Sequence, residues 1–529
     1  MKKQKIFAIM FSVFLVFILT ACNNKADDTA TVEQVLNCAW DNEPTSFDIT
    51  KYNGANDLKI IWNLYEPLVR IYKGQVVAAG AESWTVSDDE MSYTFTLRDN
   101  YWSDGQKVDA DDYASMLRRL ADPDNLFSNA SDYYVIKNFE SVNKDGAPID
   151  LLGVEVIDGR TLRIDLEYAD SNFLTSVELY PERADIVEKY GEQYGYSPEN
   201  MVCCGPFVLD EWQHNSSLKL KKNDKYWDNT IALDTINILI IPDSATKQME
   251  FRAGNIDYLD VSDENYLKEF RSNNEMYEVN AQSARTYMFL FNCKDAIMQN
   301  ANVRKALSLA ISREEICSVL DNGLTTPAYG LIPPMTMVGE YDFRNEVSEP
   351  LVGDVDAKQL LNNGLKELGV DDPSSITITL SCPSDSASQT TAEYYKQMWE
   401  SSLGINIDIN TQEFATYRSL IWSDEYQIAT TAWGGSLEPK FLLSRWLPDN
   451  QCQWDNDDYA NLVETGASTV DSLQRMNLYA EAEKYLIADN AVIAPIKYDG
   501  YSVFYYNYVK NAENSPFDNM GFRNITIEK

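Results

Sequence analysis

The stretch that most restricts the fold lies near residue 400. Ile376 to Leu380 alternates Ile, Thr, Ile, Thr and Leu and is of strand length. Ala387 to Leu403 is of helix length. Ile405 to Ile409 alternates again. A strand, a helix and a second strand in that order form a βαβ unit, and its two strands must be parallel. The chain therefore contains an α/β layered sheet. Neighbouring segments agree. Ala357, Leu360, Leu361, Leu365 and Leu368 make a helical stripe closed by Gly369. Ser312 to Glu315 reads as a capping box before a further helix, with Gly323 near its end. A long helix is expected near Ser472 to Ala488. Earlier in the chain strands dominate. Tyr93, Phe95 and Leu97 alternate with polar residues, as do Leu162, Ile164 and Leu166. Between them, Asp109 precedes a helix that carries Tyr113, Met116, Leu117 and Leu120 on one face, and Pro123 ends it.

The N-terminus decides the compartment. Lys2, Lys3 and Lys5 precede an apolar run from Ile6 to Ile18, which Ser12 alone interrupts, and Leu19-Thr20-Ala21-Cys22 follows. This is the layout of a secretory leader. The run is short of the roughly 20 apolar residues that span a bilayer, and no later segment is longer; Ile236 to Ile241 is of strand length. Leu-Thr-Ala-Cys resembles the bacterial lipobox, which implies that residues 1–21 are removed and that Cys22 carries a diacylglycerol. Two acyl chains hold firmly, at about 0.8 kcal/mol per buried methylene. The polar stretch 22–32 reads as a flexible tether. An ordinary secreted protein with a Cys near its cleavage point is the alternative.

Composition removes several function classes. With 44 Lys and Arg against 82 Asp and Glu, the formal charge is −38 over 529 residues. Such a surface disfavours nucleic acid and repels anionic headgroups, so membrane attachment rests on the lipid. The single histidine, His214, would have to serve any Ser-His-Asp arrangement. It lies between Phe207-Val208-Leu209 and Leu218-Lys219-Leu220, where a hairpin turn is expected. Apart from Cys22, the cysteines lack metal-ligand spacing, and most read as small buried apolar residues. No metal and no cofactor is expected.

Several segments, in order, resemble one family. They are Asn42-Glu43-Pro44-Thr45-Ser46-Phe47-Asp48, Asn63-Leu64-Tyr65-Glu66-Pro67-Leu68, Ala81-Glu82-Ser83-Trp84, Trp102-Ser103-Asp104-Gly105 with Asp111-Asp112-Tyr113, Gly205-Pro206-Phe207, Lys225-Tyr226-Trp227-Asp228, Asn302-Val303-Arg304-Lys305-Ala306-Leu307 and Thr326 to Pro334. Together they are similar to the extracellular solute-binding proteins, family 5, of peptide-type ABC importers. The resemblance implies an α/β, bilobal, periplasmic-binding-protein-like clamshell (type II) with an additional inserted domain. Lobe I would comprise 33–63, 197–292 and 501–529, the inserted domain 64–196 and lobe II 293–500, with crossings near Asn292 and Tyr498. The implied function is lipid-anchored capture of oligopeptides at the outer face of the cytoplasmic membrane, as a monomer, for an ABC permease, without catalysis. Two rivals stand beside it: a binder of an oligosaccharide, opine or metal complex on the same fold, and a secreted hydrolase.

The resemblance also implies a site between the lobes. Many oligopeptide binders of this family have a Trp-x-x-Asp-Tyr segment whose Asp meets the peptide amine. Here the matching stretch is Trp433-Gly434-Gly435-Ser436-Leu437-Glu438-Pro439, one residue shorter and without the Asp. Trp433 reads either as core or as a wall of the site; the two glycines after it favour close backbone approach. Gln412-Glu413-Phe414 stands where a Gln-Glu-Trp is expected. Between Phe414 and Trp433, Arg418 is the one base, so no arginine for a peptide carboxylate is evident there. Glu438, Asp260, Asp41 and Glu43 are the acids that would replace the missing anchor, with Glu438 equally readable as a loop or cap residue. Asp260, Tyr134 and Asn53 complete the candidate set.

Overall fold

The computed structural model describes residues 33–52, 54–170, 172–351, 355–512 and 515–529. Cys22, the leader, the tether and Asn53 lie outside the described residues. Among the described residues no helix is long and apolar enough to cross a membrane.

Three large sheets organise the chain. The first is four-stranded, in the order Val35–Trp40, Thr235–Ile240, Ser217–Lys222, Phe207–Gln213. Val35–Trp40 runs parallel to Thr235–Ile240, and the rest is antiparallel. The expected hairpin is present, with Gln213 paired to Ser217 and His214 at its tip. The second sheet is four-stranded and antiparallel, in the order Ala81–Val86, Ser92–Leu97, Thr161–Asp165, Val154–Asp158. Helix Ala110–Ala121 packs on it. Its Asp109 carboxylate accepts from the Asp111 and Asp112 amides, and Asp112 answers the Asp109 amide in the capping box.

The third sheet is seven-stranded. Its path is Tyr258–Val261, Ile493–Tyr506, Met276–Phe291, Ile428–Gly434, Thr377–Pro383, Asn406–Gln412, and Thr326–Pro327 pairs with Ile493–Tyr506 off that path. Thr377–Pro383 and Asn406–Gln412 are parallel, as the βαβ reading requires. Helix Ser386–Leu403 joins them, started by the Asp385 side chain on the Ser388 amide and ended by Gly404 in the left-handed region. Alternation along Met276–Phe291 explains why helices cover both faces. Met288 and Leu290 enter one core with Leu442, Trp446 and Tyr479, while Phe289 and Phe291 enter another with Val303, Leu361 and Trp399. Each such fully buried side chain contributes about 1.5–3 kcal/mol. Met276–Phe291 has 16 residues and Ile493–Tyr506 has 14. They pair from Met276↔Tyr506 to Leu290↔Ile493, with a register break between Gln282 and Thr286.

Two expectations need adjustment. The Ser312 cap is present on the Glu315 amide, but the α-helix it starts spans only Arg313–Glu315 before the turns widen over Ile316–Leu320. The long helix runs Ser472–Lys484 and widens likewise over Tyr485–Asp489. The described cysteines are all free, and Cys203 and Cys204 are buried side by side. Burial pushes the Cys203 thiol up to about 12, so it behaves as an apolar side chain.

Candidate binding cleft

Strand Ile428–Gly434 is paired on one edge along its whole length, from Phe291↔Ile428 to Arg285↔Gly434. On the other edge it meets Thr377–Pro383 only at Ile428 and Ala429. From Thr430 onward that second edge carries no strand among the described residues. Thr430 shows which way its main chain points. Its amide donates to the Tyr417 hydroxyl at 2.9 Å, and that hydroxyl donates to the Thr430 carbonyl. In an antiparallel pair the main-chain groups of every second residue face away from the partner strand. Ala432 and Gly434 therefore present an N–H and a C=O to the same open edge. A methyl group built on Gly434 would meet no atom within 4 Å. Gly435 is different: its amide donates to Ala284 at 2.5 Å, and a Cβ there would press on Ala284 and Leu442.

Trp433 lies between the two outward-facing residues. Its indole is half-buried against the core that holds Met288 and Leu290. Nε1 donates to Gln451 Oε1 at 3.2 Å, and the Arg445 guanidinium lies 4.2 Å from the ring centroid. Phe414 opens the helix Phe414–Leu420, which the Glu413 carboxylate caps on the Ala415 and Thr416 amides. Phe414 is 63% exposed and Trp422 is 50% exposed, so both offer apolar surface. The same helix brings Tyr417 to Thr430.

The candidate acids are placed apart. Ser436 donates to the Glu438 carbonyl at 3.1 Å. Glu438 is buried, with Arg475 Nη2 3.3 Å from its carboxylate. With its amide turned to donate, Asn172 reaches the same carboxylate at 2.8 and 3.2 Å. Burial outweighs Arg475 and, with Asp170 adding to it, pushes the Glu438 carboxyl up to about 7. Lys440 Nζ lies 3.9 Å from Asp170. Glu438 thus ties segment 437–440 to Asn172, as Lys440 ties it to Asp170, and is already engaged within the protein. Glu43 is engaged too: it accepts from Trp212 Nε1 at 2.7 Å and the Asn215 amide at 2.8 Å, and it meets His214 Nδ1 at 2.6 Å. Tyr134 donates to Asn143 at 2.9 Å and packs on Phe139 within its own region.

Asp260 occupies a second concavity, of about 290 Å³, floored by Tyr258–Val261 and walled by Trp40, Lys59, Lys247, Tyr501 and the tail around Phe522. Its side chain reaches solvent, but desolvation by the walls of the concavity raises its pKa; Lys59 and Lys247 oppose the rise and Asp41 adds to it. Asp41 itself pairs with Lys247. Asp260 is opposite Val503, which pairs with Val279, whereas Trp433 pairs with Thr286. Seven residues of strand separate those two registers, or roughly 23 Å at about 3.3 Å per residue. The structure therefore sets the strand that leads into Trp433 to Glu438 against the helix that Phe414 opens and sets Asp260 at the far end of the same sheet. Tyr417 and the outward main chain of Ala432 are additions that the sequence pattern did not mark. Tyr417 follows Phe414 at helical spacing, which was the one available signal.

Comparison with known proteins agrees with this architecture. Residues 75–452 match the family model described as bacterial extracellular solute-binding proteins, family 5 Middle. The oligopeptide-binding protein OppA of Bacillus subtilis is 28% identical over 520 residues, which is 94% of each chain. The unliganded open form of the periplasmic murein tripeptide-binding protein MppA superposes with a TM-score of 0.80 at 25% identity, covering 94% of this chain and 98% of that one. Listeria monocytogenes OppA bound to peptide gives 0.71 at 26% identity, covering 94% and 100%. The fold is the clamshell of periplasmic binding proteins. The chain belongs to family 5 of the extracellular solute-binding proteins, which bind their solutes and do not transform them.

Proposed function

We propose that this protein captures oligopeptides outside the cytoplasmic membrane and delivers them to an ABC importer, anchored by a lipid on Cys22. The observation that carries this reading is the open edge at Ala432 and Gly434. An extended peptide added there gains main-chain hydrogen bonds that are blind to its side chains, which is how a sheet edge binds varied sequences. Trp433, Phe414 and Trp422 supply apolar surface around such a strand. The names of similar proteins, oligopeptide-binding in Bacillus subtilis and peptide-bound in Listeria monocytogenes, support the cargo class. The lobes 33–63 with 197–292 and 501–529, and 293–500, would close about the two crossings near Asn292, just after the first of the two long paired strands, and Tyr498, within the second. Ser436 in place of an acid implies that a free amine on the cargo is not demanded. Titration calorimetry with a series of tri- to hexapeptides tests the reading. Saturable binding by several unrelated sequences is expected. No binding of any peptide, with saturable binding of an oligosaccharide or a metal complex, would replace it.

A further inference from the structure

Among the described arginines, all but three donate to a carboxylate or a carbonyl of the protein. Arg70, Arg119, Arg183, Arg344, Arg475 and Arg523 pair with acids, and Arg304 and Arg313 bind main-chain carbonyls. Arg285, Arg418 and Arg445 have no protein acceptor. The first two are exposed, whereas Arg445 is half-buried. It stands 4.2 Å from the Trp433 ring centroid and 4.5 Å from that of Phe441, which is itself 43% exposed. In a chain with 82 acids, a partly desolvated arginine without an acid is conspicuous.

The chemistry of that arrangement is specific. Stacking on aromatic rings occupies the faces of a guanidinium and leaves its in-plane N–H fork unused. Burial draws the Arg445 pKa down, and nothing offsets it. An arriving carboxylate would therefore gain a charge-assisted, bidentate contact without first displacing a protein acid. A second unmet donor adjoins the same indole. Gln451 is 2% exposed and accepts from Trp433 through Oε1, but its Nε2 has no acceptor. Trp433 itself separates the two residues whose main chain faces the open edge.

We propose that Arg445, held between Trp433 and Phe441, is an anion-binding residue of the cleft, and that this protein selects cargo bearing a carboxylate where the cargo passes Trp433. The carboxylate is either the C-terminus of the peptide or an Asp or Glu side chain. This rests on the peptide reading above and adds to it the charge of the preferred cargo.

Three matched pentapeptides decide the matter: pentaalanine, its C-terminal amide, and the same amide with glutamate at the third position. The wild-type protein is expected to bind one of the two acids at least tenfold more tightly than the neutral amide, and which one identifies the source of the carboxylate. R445Q should erase the preference, so that the acid and the neutral amide bind alike, and R445K should restore part of it. Unchanged melting temperatures would show that the variants fold. Equal binding of all three peptides by the wild type, or a preference that survives in R445Q, would overturn the proposal. If no peptide binds, the peptide reading fails, and N-acetylglycine against N-acetylglycinamide still tests Arg445. The acid should raise the melting temperature of the wild type more than the amide does, and R445Q should show no difference. Equal shifts in the wild type would overturn the assignment.

Discussion

Ala432→Pro separates the binding edge from the fold. The Ala432 amide faces away from Met276–Phe291, as the outward Thr430 groups on Tyr417 show two residues earlier. Proline there removes no ladder hydrogen bond, which is the one setting in which a strand accepts it. Stability should change by less than about 1 kcal/mol. A peptide on that edge loses one N–H donor, worth about 0.5–1.5 kcal/mol net. If its carbonyl is left buried and unmet, the loss reaches about 3 kcal/mol. The dissociation constant should therefore rise by more than about twofold, and by as much as roughly 150-fold where the carbonyl is left unmet. Thr431→Pro is the matched contrast. Its amide lies on the Met288 side, so the substitution breaks the ladder and should cost roughly 3 kcal/mol of stability. Calorimetry with one pentapeptide and thermal unfolding of both variants make the test. If Ala432→Pro melts like the wild type and binds within twofold of it, the open edge is not where cargo docks. If the two variants are equally destabilised, the alternation deduced from Thr430 is wrong.

Three further outcomes are expected. Burial pushes Glu438 and Glu182 up to about 7 against their arginine partners, and Asp112 up to about 6 against the Trp102 indole bond. A carboxyl raised in the native state holds its proton longer there than in the unfolded chain, so stability falls as pH climbs from about 4.5 to about 7. The protein should melt several degrees higher at pH 5.5 than at pH 8, and Glu438→Gln should flatten that slope; a melting temperature that rises over this interval contradicts the assignment. Asp165, Asp185 and Glu278, held low beside Arg163, Arg183 and Arg271, stabilise above the unfolded carboxylate range and lose that contribution only in stronger acid. Cys22→Ser should release or misprocess the protein in a cell with lipoprotein machinery, read by fractionation; wild-type membrane retention would remove the lipid anchor. N-acetylating a good peptide ligand should weaken it less than about tenfold, or roughly 1.4 kcal/mol, because Ser436, which already donates to the Glu438 carbonyl, leaves no charge stranded; a hundredfold loss in calorimetry would mean that another acid holds the amine.

Local chemistry made part of the molecule legible. The parallel pair around Ser386–Leu403, the Asp109 cap and the His214 hairpin follow from residues within one segment, and each is present. The open edge is of another kind. It exists because Thr377–Pro383 stops pairing with Ile428–Gly434 after Ala429, a long-range register that no local pattern encodes. The engagement of Glu438 by Asn172 joins residues far apart in the chain, so an acid that reads as free in sequence is satisfied in the fold. Arg445 follows Trp433 in the chain, outside the interval that begins at Phe414, and only the short turns after Pro439 carry it back over that indole. The widened turns at Ile316–Leu320 and Tyr485–Asp489 are invisible to periodicity, since a stripe of apolar residues fits both windings.

The central claim is that the cleft holds intact peptides. Native mass spectrometry of the protein purified from cells tests it most directly. The account predicts adducts whose masses, after release by denaturant, resolve into unmodified oligopeptides of varied sequence, rich in chains that present a carboxylate to Arg445. An adduct that is a sugar, an opine or a metal complex, or peptides recovered cleaved at catalytic rates, would contradict it.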